Sequence, residues 1–423
     1  MIIFYIMILS LPFVSHPLFG KTIGPLTVEK YIGALCLLYA ALHVAVRRRL
    51  PPLFSTPQAR AFLIFFALAT ASWLTLGRSP SATTMLAIYG SHLLFLVTTV
   101  SIVDSLPRLR WTLLAAVAAM GFVSLYVLRD WQLGSAVYGL SYRPGYVAGD
   151  ANFFTASVLL CLPVTLVLLW REKNMPVRIF CLVCLVVTLG AITLAASRGG
   201  FLGLLVAMTW LLWHSRNRMR NLLLVGLCMG LFLAVSPLSP IERFLHPDNS
   251  DTSSVRIHLE LWQAGMKIVR DHPLTGIGVG QFKSAVGAYS SVKDLSRLAH
   301  NTYLEIAAEM GIPGLILFLA TFWFSFRALN EVRMADYPDS AKWLSSAATG
   351  IQAGLLGFAV AAFFVSAEFL KMFWFMLFLS ICLNSLRKEQ PAEESLLAAG
   401  TQVPDAGLRS RWAPGLEAGA ADG

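Results

Sequence analysis

About a dozen apolar runs dominate this chain, each near the roughly 19 residues that carry a helix across a bilayer. One long polar interval, 239–312, breaks the pattern. Backbone immersed in hydrocarbon must satisfy its own hydrogen bonds, so only helices or a closed barrel can cross. Continuous apolar runs without strict alternation predict helices. They fall at 2–18, 28–46, 61–77, 84–103, 111–128, 153–170, 179–197, 200–213, 221–237, 313–329, 344–366 and 369–386. Only 13% of the 423 residues are charged, against roughly a quarter in soluble domains. The expected fold class is an all-α polytopic membrane protein of about 12 transmembrane helices with a long helical loop.

Orientation follows from the basic residues. Arg47-Arg48-Arg49, Arg108 with Arg110, Arg171 with Lys173 and Arg178, Arg216 with Arg218 and Arg220, Arg327 with Arg333, and Arg387-Lys388 occupy every second connection. Short basic loops stay cytoplasmic, so both termini are expected inside, and the loops 129–152 and 239–312 outside. The same clustering explains the net charge of +10 as helix anchoring and speaks against nucleic-acid binding. Residues 1–15 lack a basic leader and a small-x-small cleavage site, so they are expected to stay as a first membrane helix. The expected organisation is an N-terminal bundle (1–238), an outer loop (239–312), C-terminal membrane helices (313–388) and a disordered cytoplasmic tail (389–423), poor in apolar periodicity. All six cysteines fall inside apolar runs, Cys181 and Cys184 included, where a thiol acts as a small hydrophobe.

The outer loop concentrates the chemistry. Two amphipathic helices are predicted at 254–271 and 296–310, joined by the glycine-rich turn from Pro273 to Gly280. In the first, Val255, Leu259, Trp262, Met266 and Val269 form an apolar stripe at four-three spacing, beside a polar stripe of Arg256, Glu260, Gln263, Lys267 and Arg270. Arg256, in the first turn, is placed to reach an anion. The turn Gly276-Ile277-Gly278-Val279-Gly280 lacks the preceding strand and the Gly-Lys-Ser/Thr of a phosphate loop, so it reads as a flexible connection. In the second helix Asn301, Glu305 and Glu309 share one edge, with His300 beside them. A neutral imidazole can take a proton near neutral pH.

Arg198 interrupts two apolar runs on the same outer side. A charge at mid-depth costs roughly 2.5–3.5 kcal/mol, and its guanidinium suits the oxygens of a lipid phosphate. The other outer loop offers Arg143, then Asp150 and Asn152 before a run; these two either cap that helix or line the mouth of a site. His246, His258, His272 and His300 show no metal-ligand spacing, so no metal and no cofactor are expected.

Taken together, Ser197-Arg198-Gly199 ending a run, Arg256 before Trp262, Pro273-Leu274-Thr275-Gly276-Ile277-Gly278, and His300-Asn301 followed by Glu305, Gly311 and Pro313-Gly314 resemble the O-antigen ligase family, related to the O-antigen polymerases. The resemblance implies a GT-C-like helical fold and a metal-independent glycosyltransferase in the bacterial inner membrane. Such an enzyme moves a glycan from undecaprenyl diphosphate to a periplasmic acceptor such as lipid A-core. Arg198 and Arg256 would hold the diphosphate and His300 would activate the acceptor hydroxyl. Arg143, Asp150, Asn152, Asn301 and Glu305 would contact substrate. The family motif often has proline between the positions of Asp150 and Asn152, where this chain has Ala151. A polymerase uses the same chemistry with a carrier-linked glycan as acceptor. A transporter of lipid-linked glycan would instead place ionisable groups along a mid-membrane path, and the predicted spans hold almost none.

Overall fold

The computed structural model describes residues 1–13, 22–23, 26–47, 51–138, 142–145, 150–214, 249–292, 295–338 and 341–398, with short pieces between 218 and 230. Its helices are α1 (Ile2–Ser10), α2 (Val28–Arg47), α3 (Pro57–Leu76), α4 (Pro80–Ile102), α5 (Leu106–Tyr138), α6 (Ala151–Leu159), α7 (Leu162–Arg171), α8 (Met175–Ala195), α9 (Arg198–His214), α10 (Asn249–Asp271), α11 (Phe282–Tyr289), α12 (Thr302–Met334), α13 (Trp343–Ala361) and α14 (Lys371–Ala398). The strands Thr22–Ile23 and Leu26–Thr27 form a two-residue antiparallel pair ahead of α2.

Among the described residues, eight helical stretches are long and apolar enough to cross a membrane: α2, α3, α4, α5, the α6–α7 pair, α8, α12 and α13. The chain is a polytopic all-α membrane protein. Helices also stand at the expected positions of the first, eighth and last runs, as α1, α9 and α14. The run 221–237 lies almost wholly outside the described residues. Helix α14 continues to Ala398, through the first ten positions of the expected tail; 399–423 lie outside the described residues.

Small residues set the crossing of α9 with α13. A side chain on Gly203 of α9 would strike the Gly357 carbonyl of α13, and a Cβ on Gly357 would meet the Gly203 carbonyl oxygen at 2.9 Å. In a membrane, where lipid tails are as apolar as leucine, such backbone approach is a principal source of helix association. Because the obstacle is backbone, no rotamer can relieve it. Gly357→Leu is therefore expected to destabilise by about 1–3 kcal/mol or more, read as a lower thermal midpoint of the purified protein, with Gly357→Ala between.

One end of the bundle carries a group of ion pairs. Asp104 binds Arg108 at 2.7 Å and His43 at 2.8 Å, and Arg110 grips Glu172 through 2.5 and 2.7 Å contacts. Asp104, Arg108, Arg110 and Glu172 belong to connections expected on the cytoplasmic side, and His43 to the adjoining end of the run 28–46.

The polar interval differs from its sequence reading in three respects. First, α10 buries Leu261, Ala264 and Ile268 in a small core with Phe282, Val286, Leu295, Ala299 and Ala308. Of the apolar stripe, expected to lie on the membrane surface or against the bundle, Trp262 and Val269 pack beside this core, whereas Val255 is 44%, Leu259 50% and Met266 57% exposed. The side of α10 facing α11 and α12 won because those elements supply a partner for its smaller residues. Second, α11 forms within the stretch between the two expected helices. Third, 295–300 is not helical; the helix begins at Thr302 and runs into the membrane as one element broken at Gly311.

Candidate active site

Four chain segments converge at the end of the bundle opposite those ion pairs. Asp150 caps α6, its carboxylate accepting from the amides of Asn152 at 2.7 Å and Phe153 at 3.2 Å. Asn152 Oδ1 in turn accepts from the Ser197 hydroxyl at 2.7 Å, and Ser197 Oγ accepts from Gly200 N at 3.1 Å. Arg143 Nε donates to the Ala195 carbonyl at 3.1 Å. The segment from Arg143 to Asn152 is thus tied to the turn that presents Arg198, and that turn is itself strained, with Ala196 at φ 47°.

The second strained residue is His300, at φ 50°. Among the described residues these are the two non-glycine positions in the left-handed region, which costs roughly 1–2 kcal/mol for an ordinary L-residue. Strain of this kind persists where surroundings over-determine it, and it concentrates at functional sites. The surroundings of His300 are explicit. Asn301 caps α12 by accepting from Tyr303 N and Leu304 N, both at 3.1 Å. Thr302 N donates to the carbonyls of Ala362 and Val365, and the Thr302 hydroxyl accepts from Ala367 N. Glu305, 1% exposed, accepts from Ala299 N at 2.9 Å and from the Ser366 hydroxyl. Asn301 and Glu305 therefore bracket His300 and hold its loop.

Glu309 performs the same service for the glycine-rich turn. Its carboxylate accepts from Gly280 N at 2.7 Å and Phe282 N at 2.9 Å. Ile277 N and Gly278 N donate to the carbonyls of Ala308 and Glu309, and Ile312 N donates to Pro273 O. The turn's amides are consumed internally, so it is not built as a phosphate cradle. Gly276 and Gly311 have positive φ, and a side chain on either would collide with the facing backbone. The helix break at Gly311 is where the turn docks.

His300 and Asp150 share the wall of a cavity of about 610 Å³, with Phe153, Leu298, Ser366 and Phe369. His258 of α10, which the sequence offered only as a metal-ligand candidate, stacks on His300 with ring centroids 4.8 Å apart and planes 19° apart. Burial holds both imidazoles below their ordinary value, against the pull of Asp150; His258 reaches about 4, pushed further by His300, Arg198 and Arg297. The His300 Nδ1 is buried without a partner among the described residues. A neutral, desolvated imidazole with Asp150 nearby is suited to accept a proton. Burial also lowers the Arg143 pKa, Asp150 opposing and Arg198 adding to the fall. Arg198 is half-buried beside this group, while Arg256 is exposed two residues before His258 and does not line the cavity.

The cavity wall includes residues the sequence reading passed over. Lys371 pairs with Glu29, and both line it with Lys30. Their signal was present: charges at the outer ends of two apolar runs. Glu368, 1% exposed, has neither carboxylate oxygen partnered among the described residues. Burial, then the charge of Glu305, raises its pKa well above the carboxylate range.

A largely apolar cavity at one end of the helix bundle is thus walled by a strained histidine, with Arg143 and Arg198 close by. Residues 183–319 match the family model described as O-antigen ligase. A Salmonella muenchen protein described as O-antigen polymerase is 26% identical over 263 residues, covering 58% of this chain and 61% of the relative's length. Over these stretches the chain is similar to the O-antigen ligases and polymerases. The matched stretch contains Arg198, Arg256, His300, Asn301 and Glu305, and leaves Arg143, Asp150 and Asn152 outside it.

Proposed function

We propose that this protein is a membrane glycosyltransferase that moves a glycan from undecaprenyl diphosphate to a periplasmic acceptor such as lipid A-core. The observation that carries the reading is His300, held neutral and strained at the wall of a largely apolar cavity, with Asp150 beside it and Arg198 near. The interval 239–312 is then the periplasmic catalytic loop, in a multi-pass protein of the bacterial inner membrane with both termini cytoplasmic.

In the proposed reaction the acceptor hydroxyl gives its proton to His300 as its oxygen attacks the anomeric carbon. The carbon–oxygen bond to the carrier breaks, and undecaprenyl diphosphate leaves with the electron pair. Arg198 and Arg256 meet the developing phosphate charge, through charge-assisted hydrogen bonds of about 1.5–3 kcal/mol each, which strengthen as that charge grows. The diphosphate is already a good leaving group once neutralised, so no step calls for a metal or nucleotide. Asp150 steadies the imidazolium. Arg143 and Asn152 shape the turn that presents Arg198, and Asn301 and Glu305 hold the His300 loop against substrate. Attack opposite the leaving group inverts the anomeric carbon; retention in the product, read by NMR, would overturn that step.

A polymerase reading, with a second carrier-linked glycan as acceptor, is favoured by the description of the Salmonella relative. Transport is disfavoured by the polar groups. Glu305 and Glu309 lie in the first turns of α12, ahead of the expected span 313–329. Both are engaged by loop amides at one end of the bundle, and they trace no path across it.

The deciding experiment is reconstitution with purified lipid-linked glycan and both kinds of acceptor. Transfer is expected from wild type, with a loss of at least tenfold in Arg198→Gln. Movement of glycan across liposomes without transfer would reject the reading. The pH profile supplies a second check. The neutral imidazole is the active form, so the rate holds above the His300 pKa and falls as pH drops through it. Because that pKa is lowered, the acid limb of kcat/KM should lie below pH ~6.5, the ordinary histidine value; a limb above it would argue against His300 as base.

A further inference from the structure

A second cavity, of about 440 Å³, lies at the other end of the helices that carry His300 and its neighbours. The α6–α7 stretch runs from its cap at Asp150 to Trp170 and Arg171, and α9 runs from Arg198 to His214. Helix α12 runs from Thr302 to Met334, just before Asp336, and α13 returns from Trp343 toward Ala362, whose carbonyl accepts from Thr302. In each case one end serves the His300 region and the other lines this cavity. The 17 residues of α9 span about 25 Å at roughly 1.5 Å per residue, close to the hydrocarbon thickness. The two cavities therefore open at opposite faces of the membrane domain.

The second cavity is cationic. Arg171, Arg220 and Lys342 line it, all exposed, against the single acid Asp336 among its described lining residues. The Arg220 guanidinium lies over the Trp170 ring, 3.6 Å from its centroid, and this cation–π contact fixes its fork. The Trp170 indole N–H is buried and has no acceptor among the described residues. A buried donor left so costs about 1–3 kcal/mol, which an oxygen anion in the cavity would relieve. A row of cytoplasmic arginines that only anchored helices would need neither a cavity nor an orphaned donor. Phosphate suits this set, because arginine offers paired donors to its oxygens and basic pockets between membrane helices take anionic head groups.

The geometry points to a binding site for a phosphate-bearing anion at the membrane face opposite His300, formed by Arg171, Arg220, Lys342 and the Trp170 indole. The phosphate belongs to an anionic phospholipid or to a free ion, and the two sources are separable. Thermal unfolding of the purified full chain is followed in phosphatidylcholine alone, with phosphatidylglycerol added, and with inorganic phosphate added. Binding to the folded state raises the midpoint by mass action. A rise of several degrees is expected with phosphatidylglycerol, or with inorganic phosphate if the free ion is the ligand.

The double variant Arg220→Gln/Lys342→Gln should lose at least half of that rise, while Arg198→Gln, at the other face, keeps it. Trp170→Phe retains the ring under Arg220 and removes only the N–H, so it should lose part of the rise while folding normally. Should the double variant fail to fold, retention of phosphatidylglycerol or phosphate by Trp170→Phe in native mass spectrometry decides. A full rise in the double variant, undiminished retention in Trp170→Phe where the double variant does not fold, or no rise in wild type with either probe would overturn the site.

Discussion

Glycan transfer by His300→Asn is expected to fall about 10²–10⁴-fold, the usual contribution of a positioned general base. Asparagine is the informative replacement. His300 sits at φ 50°, and asparagine is among the few non-glycine residues that occupy this region readily. Alanine would add backbone strain of roughly 1–2 kcal/mol and confound chemistry with folding. Single-turnover transfer in proteoliposomes gives the rate, and an unchanged thermal midpoint shows that the loop is still held by Asn301, Thr302 and Glu305. Wild-type rates in a folded His300→Asn protein would remove the base from the proposed mechanism.

Glu309→Ala should be the most damaging substitution far from the reacting atoms. Glu309 is 4% exposed and accepts from Gly280 N and Phe282 N. Removing its carboxylate leaves both amides without that acceptor, at about 1–3 kcal/mol for a buried donor; the Gly280 amide, only partly buried, sits at the low end. The glycine-rich turn then loses its hold on the break at Gly311, and with it the seating of α10, which carries Arg256 and His258. A lower midpoint together with lost transfer is expected. Glu309→Gln, which keeps one acceptor oxygen, should recover much of the midpoint. Equal loss in both variants would show that the charge, rather than the two hydrogen bonds, is what the turn requires.

Why the site was only partly legible follows from particular residues. Arg198, His300 and Asp150 stood out because each breaks an apolar pattern or occupies a rare polar interval, and polar groups beside a bilayer are costly. The stack of His258 on His300 had no such signal: 42 positions separate the two residues, and nothing local marks them as neighbours. The roles of Glu305 and Glu309 were obscured for a related reason. On a helical wheel they share an edge with Asn301, but apart from the distant Ser366 hydroxyl their partners are backbone amides of Ala299, Gly280 and Phe282, which carry no signature in residue identity.

By itself, the sequence determined an all-α membrane fold, because hydrocarbon leaves the backbone no alternative to helices over long apolar runs. It also set one long polar interval apart from the apolar runs. The tertiary structure decided which face of α10 is buried, since Val255, Leu259 and Met266 form as good a stripe as the one that packs. It decided that the glycine-rich turn serves docking, because only the facing carbonyls of Ala308 and Glu309 show where its amides go. And it brought Asp150 and His300 to one cavity, a proximity created by helix packing across 150 residues of chain.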